Sequence, residues 1–214
     1  MTIADKLIRA KEDYDAVYEA GKQKQQNDFW DKYQKNGTRT DYEYAFAGRY
    51  WTDELFTPKY PFLNVRSPYM MFMGNSNLTY IPAIEFHPSA SYSTIFRGCK
   101  ALVTIEKLKF TWPSTTTATI NSDCFRDCNE LQNLVIEGVL YSGLNLSYST
   151  KLSKASIESV INALDTTRTG LATTFSATAV KKAFETATDA NDGNTSAEWL
   201  ALIATKSNWT ISLV

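Results

Sequence analysis

The chain has 214 residues, with 22 Lys and Arg against 23 Asp and Glu and a formal net charge of −1. That balance gives no electrostatic support for a polyanion partner such as nucleic acid. Three cysteines are too few for a disulfide scaffold, and no apolar run approaches the roughly 18 residues that a membrane span needs. The length suits one domain, or one with a small extension, and can bury a sizeable core. The first twenty residues carry Asp, Arg, Lys and Glu throughout, without the apolar core of a signal peptide or a lipidation cysteine. The expectation is a protein that does not leave the cell by the conventional secretory route.

In chain order, residues 3 to 34 read as helix. Ile3, Leu7, Ala10, Tyr14 and Val17 fall at alternating steps of four and three, a seam two heptads long. Phe29, Trp30 and Tyr33 follow at helical spacing, and Gly21 is a point where the first segment loosens or ends. The seam suits either an amphipathic cap or an oligomerisation or docking helix. Asn36-Gly37 marks a turn. From Tyr42 to Phe62 the chain is dense in aromatics (Tyr42, Tyr44, Phe46, Tyr50, Trp51, Phe56, Tyr60, Phe62), a composition that fits an N-terminal cap over the first repeat better than a binding surface.

A repeat follows. Phe72-x-x-Asn75-x-x-Leu78-x-x-Ile81, Phe96-x-x-Cys99-x-x-Leu102-x-x-Ile105 and Phe125-x-x-Cys128-x-x-Leu131-x-x-Leu134 share one pattern, and a weaker copy opens at Phe46-Ala-Gly48. The four Phe residues recur every 24 to 29 residues. Units of this length cannot bury an apolar face alone, so they stack, with the aliphatic pair as a core rung and the Asn/Cys at an inward bend. Strands are expected near Leu78 to Ile84, Leu102 to Leu108 and Leu131 to Ile136. Their outward positions form the candidate contact face: Tyr80, Glu85, Thr104, Glu106, Lys107, Lys109, Asn133, Val135 and Glu137. Thr111 to Thr119, with Trp112-Pro113, reads as a protruding loop.

After Gly138 the pattern changes to strand plus helix. Ser153 caps a helix bearing Ile157, Val160, Ile161 and Leu164 on one face. Leu171 to Phe175 is strand-like, and Ser176 caps a helix with Val180, Ala183 and Phe184 inward. Asn191 to Asn194 is a loop. Thr195-Ser-Ala-Glu198 is a capping box for a third helix, and Trp209 to Val214 closes as a strand. These helices are expected to cover the last open sheet edge. The division is therefore 1–36 helix, 37–68 aromatic cap, 69–138 repeat core and 139–214 strand-helix cap.

The form Phe-x-(Gly/Asp)-Cys-x-x-Leu-x-x-Ile over residues 69 to 138 resembles the BspA-like leucine-rich repeats, common in bacterial surface proteins and in phages of gut bacteria. The resemblance implies an α/β fold: a leucine-rich-repeat solenoid with an N-terminal helix and a helical C-terminal cap. It also implies a phage virion protein, tail-associated and concerned with host recognition, whose repeat sheet meets a protein or surface glycan. The alternative is a BspA-like adhesin at the bacterial cell surface.

Little in the chain speaks for catalysis. No Ser/His/Asp set, phosphate loop or HExxH motif is present. Cys99, Cys124, Cys128 and His87 have the composition of a Cys3His zinc site, but the repeat register assigns Cys99 and Cys128 to the inward bends. Those two would stack within disulfide reach and are expected reduced. The expectation is no enzyme, no metal, no cofactor and no membrane insertion, with a homo-oligomer through the first helix as one of the readings of its seam, beside a cap or a docking helix. A glycan-acting enzyme built from distant carboxylates is the remaining reading.

Overall fold

The computed structural model describes residues 3–49, 51–88, 92–113, 119–184 and 196–214, the side chains of residues 3–11 and 14 excepted. The chain divides into two compact units, Met1–Arg39 with Thr57–Tyr60, and Thr40–Phe56 with Pro61–Val214. The expected boundary at residue 36 therefore omits a short stretch, Thr57–Tyr60, that belongs with the helix.

In the first unit α1 (Ile3–Tyr33) runs without a break through Gly21. It stops where Lys35, Asn36 and Gly37 turn left-handed in succession, at φ of 49°, 51° and 85°. Asp31 accepts from Lys59 Nζ at 2.7 Å and from Tyr60 Oη at 2.6 Å. The Gln34 amide, fully buried, donates to the Tyr60 carbonyl and accepts from the Tyr60 N–H at 2.8 and 3.0 Å. Thr57–Tyr60 is thereby fastened to the last turn of the helix. The seam residues Ile3, Leu7, Ala10 and Tyr14 have side chains outside the described set, and Val17 is 74% exposed.

In the second unit the expected leucine-rich-repeat solenoid is corrected. What forms is a mixed α/β arrangement with a curled parallel sheet. A solenoid requires one continuous sheet fed by every coil. Here the strands divide into a five-stranded sheet, in which β1 (Phe62–Val65), β3 (Ile84–Phe86), β4 (Thr104–Phe110) and β2 (Tyr80–Ile81) follow in order and β5 (Asn133–Gly138) also pairs with β4, and a separate three-stranded one. The strands are two to seven residues long and their registers slip between β1 and β3 and between β4 and β5.

The repeat motif still decides local packing. Phe46, Phe72, Phe96 and Phe125 are buried and pack successively, with ring centroids 5.2, 5.8 and 5.2 Å apart. Two residues after each Phe the backbone is left-handed: Gly48, Gly74, Gly98 and Asp127. The next residue points inward in three of the units and donates to the unit before it, Asn75 to Phe46 O, Cys99 to Phe72 O and Cys128 to Phe96 O at 3.3, 3.1 and 3.0 Å. An inward thiol or amide here satisfies a buried carbonyl, which explains why either Asn or Cys stands at this place. The aromatics Tyr42, Phe46, Phe56 and Phe62 form a buried cluster with Phe72, so four of the eight aromatics in that stretch are core.

The sheet ends where a helix takes the place of a strand. α2 (Lys154–Ala163), capped by Ser153, sets Ser156 and Ser159 against the outer edge of β5. Ser156 Oγ accepts from Leu134 N and donates to Gln132 O, both at 2.9 Å, and Ser159 Oγ accepts from Ile136 N at 2.8 Å. Side-chain hydroxyls thus do for the β5 edge what a further strand would do. The second sheet is β6 (Asn145–Leu146), which precedes α2, with β7 (Leu171–Phe175) and β8 (Trp209–Leu213), which follow it, all parallel. The helices α3 (Ala177–Phe184) and α4 (Ala197–Ala204) connect β7 to β8. The N-cap of α4 is Ser196, whose hydroxyl accepts from Trp199 N at 3.1 Å. Thr195, the Asn191 to Asn194 loop and residues 114–118 of the expected Thr111 to Thr119 loop lie outside the described residues.

Candidate functional site

The solvent side of the larger sheet is the surface where the nine candidate residues stand. Parallel pairing places Tyr80, Thr104 and Asn133 in one row, and Glu85, Lys109 and Glu137 in another. The alternate rows, Ile81–Ile105–Leu134 and Ile84–Leu108–Ile136, are buried. This is the period-two consequence of a strand with one face on the core. Between the two outer rows the register slips: Glu106 and Lys107 together face the single residue Val135. This bulge turns both of those long side chains onto the outer side.

The polar groups on the face are bonded to one another. Tyr80 Oη donates to Glu106 Oε2 at 2.5 Å, and Asn133 Nδ2 donates to Thr104 Oγ1 at 3.1 Å. The four remaining charges form an alternating chain: Glu85 to Lys109 at 2.9 Å, Lys109 to Glu137 at 4.0 Å, and Glu137 to Lys107 at 2.6 Å. The bond to Glu106, helped by partial burial, pushes the Tyr80 phenol up to about 12. Glu85 bonded to Lys109 raises that ammonium, and Lys107 bonded to Glu137 holds its carboxyl below the ordinary range. Among the nine, the apolar side chains are Tyr80 and Val135, 44% and 46% exposed, and Leu63 on β1 of the same sheet is exposed as well. At the start of the Tyr80 row, Asp53 accepts from both the N–H and the hydroxyl of Thr79, fixing the entry to β2.

Comparison with protein-family models, curated proteins and solved structures finds no match to this chain.

Elsewhere the three thiols are committed to structure. Cys99, Cys124 and Cys128 are buried free thiols. Burial raises all three, Cys124 to about 12, which keeps them protonated. Among the described residues no group of three His, Cys, Asp or Glu is placed to hold a metal ion, and no helix is long and apolar enough to cross a membrane. The sequence reading missed one polar centre, around Asp165. Its carboxylate accepts from Thr167 N, Thr167 Oγ1 and Arg168 N, at 3.1, 3.0 and 2.7 Å, and its carbonyl accepts from Trp209 Nε1 at 2.6 Å. Nearby, Lys206 Nζ donates to the carbonyls of Asn162 and Leu164 at the end of α2. Burial drives the Asp165 carboxyl upward, but the hydrogen bonds from Arg168, Thr167 and Thr166 outweigh it and the net shift is down; Lys206 is lowered by burial. This centre ties α2 to β8. The signal for it was present in the sequence only as an Asp-Thr-Thr-Arg turn, with no link to residues about 40 positions on.

Proposed function

We propose that the chain is a non-enzymatic binding module that meets a protein or surface glycan through the outer face of the larger sheet. One observation carries this reading. Nine side chains drawn from β2, β3, β4 and β5 stand on a single solvent face, fixed in position by the strands beneath and by bonds among themselves. A pre-ordered surface loses little conformational freedom on binding.

The non-enzymatic part is supported by the state of the reactive groups. A general acid working near neutral pH needs a raised carboxyl. On this face Glu137 is held low and Glu85 is tied to Lys109. The thiols are buried and protonated. The proposed setting is a phage virion, with the protein tail-associated and active in host recognition; the bacterial cell surface is the alternative. Support for that setting is the style of the chain and its repeat motif, and phage structural genes flanking this one would test it. Exposed Val17, the last residue of the heptad seam on α1, is the observation that supports homo-oligomerisation through that helix.

The test of the face is Val135→Arg. It places a long charged side chain on an exposed position of β5, between the two outer rows. Immobilised fractions of bacterial cell wall, lipopolysaccharide and surface protein serve as probes. The expected outcome is retention of the native protein on one fraction, at least tenfold weaker retention of the variant, and a melting temperature within about 2 °C of native. Equal retention of both proteins removes the face as the contact surface.

A further inference from the structure

We propose that this face takes an uncharged oligosaccharide, laid along the Tyr80–Thr104–Asn133 row with the Tyr80 ring as its stacking surface. The inference rests on the face being the contact surface and narrows what it contacts.

Three observations lead there. First, every charged side chain among the nine already has a partner on the same face: Glu106 with Tyr80, Glu85 with Lys109, and Glu137 with Lys107 and Lys109. An ionic partner would find no unpaired charge of either sign among them, and would have to open existing pairs to make new ones. A macromolecule that sealed the ladder from water would strip hydration from all of these charges at once. A polyhydroxylated chain does neither. It hydrogen-bonds to paired carboxylates and amides while leaving them wet.

Second, the row offers the right groups in the right order. Tyr80 is exposed, and its hydroxyl is held by Glu106, so the ring is ordered before any ligand arrives. Its apolar face suits the C–H surface of a pyranose. Thr104 and Asn133 follow, joined by one hydrogen bond. An Asn amide keeps a second N–H and a carbonyl oxygen beyond that single bond.

Third, the spacing fits. Tyr80, Thr104 and Asn133 are in direct register on β2, β4 and β5. Neighbouring strands are about 4.8 Å apart, close to the length of one sugar ring in an extended glycan. Successive sugars would therefore meet successive strands.

The experiment uses isothermal titration calorimetry on the full chain. The probes are three neutral oligosaccharides (cellohexaose, mannohexaose and laminarihexaose) and two charged ones (hexagalacturonate and chitosan hexamer), each at about 50 and about 500 mM NaCl. The expected result is binding of at least one neutral probe with a Kd that changes less than about twofold with salt. Tyr80→Ala is expected to weaken it at least tenfold, and Tyr80→Phe, which keeps the ring, by no more than about threefold. Binding of only the charged probes, or of none, overturns the neutral-glycan inference. If a charged probe binds and Val135→Arg abolishes it, the face stands as the contact surface and only the choice of ligand is wrong. If a neutral probe binds and neither Tyr80→Ala nor Val135→Arg affects it, the face itself is wrong.

Discussion

Individual residues in this fold are constrained by close backbone approach and by burial, and the two can be separated. Gly138 sits at φ +94°, and a Cβ there would lie 1.9 Å from the Phe110 carbonyl oxygen. Gly74 has φ +72°, and a Cβ there would meet nothing within 4 Å. Gly74→Ala should therefore cost only the left-handed backbone term, about 1 kcal/mol. Gly138→Ala forces the strand pair apart and should cost about 3 kcal/mol or more, read as the difference in chemical-denaturation midpoints. Thr94 is the reverse case. It is β-branched at φ +53°, 6% exposed, and its hydroxyl has no hydrogen-bond partner. Thr94→Gly removes both faults and should raise stability by about 1 kcal/mol; a loss of stability would mean that the Thr94 methyl is needed for packing. Asp165 gives a pH dependence. Its folded-state pKa is depressed below the ordinary 3.8, so its contribution is present above that value and is lost as pH falls through the folded value. Asp165→Asn should lower the melting temperature at neutral pH, and its gap from the native protein should shrink steadily below about pH 3.8.

At the scale of elements, the decisive one is α2. Ser156 is buried and serves both Leu134 N and Gln132 O, whereas Ser159 is less buried and serves chiefly Ile136 N. Ser156→Ala should cost about 2–3 kcal/mol by leaving two backbone groups unpaired. Ser159→Ala should cost less than about 1 kcal/mol, because water can replace the hydroxyl. Amide exchange should quicken at Leu134 in the first variant and at Ile136 in the second. Equal costs would show that α2 holds β5 by packing alone. This edge was not legible in the sequence: serines three apart on a helix look like any polar face. What was legible is what local periodicity controls. The Phe and Leu spacing identifies which segments stack, the Asn/Cys position identifies the inward donors, and strand alternation identifies Tyr80 and Asn133 as outward. The strands begin two residues later than expected, at Tyr80, Thr104 and Asn133, because the residues just before them complete the turn after the inward donor.

At the scale of the whole molecule, periodicity could not say where stacking stops. Repeats of 24 to 29 residues imply a solenoid only if each coil supplies a strand to the same sheet. Here the chain leaves the larger sheet after Gly138, a second sheet starts at Asn145, and α2 follows to close the β5 edge. The first unit, with its long helix and exposed Val17, bears on assembly. Light scattering of the full chain and of a chain beginning at Lys24, which keeps Trp30, Asp31 and Gln34, should give an oligomer and a monomer respectively. Monomers in both cases would limit α1 to a role within the unit. The measurement that most directly tests binding through the larger sheet is a chemical-shift map of the isotope-labelled full chain titrated with the cell-wall fraction or oligosaccharide that it retains. The expected perturbations concentrate at Tyr80, Thr104, Glu106, Asn133 and Val135, with the exposed Tyr44 and the α4–β8 surface unchanged. Perturbations concentrated at Tyr44 or at α4 and β8, with the outer face of the larger sheet silent, would contradict it.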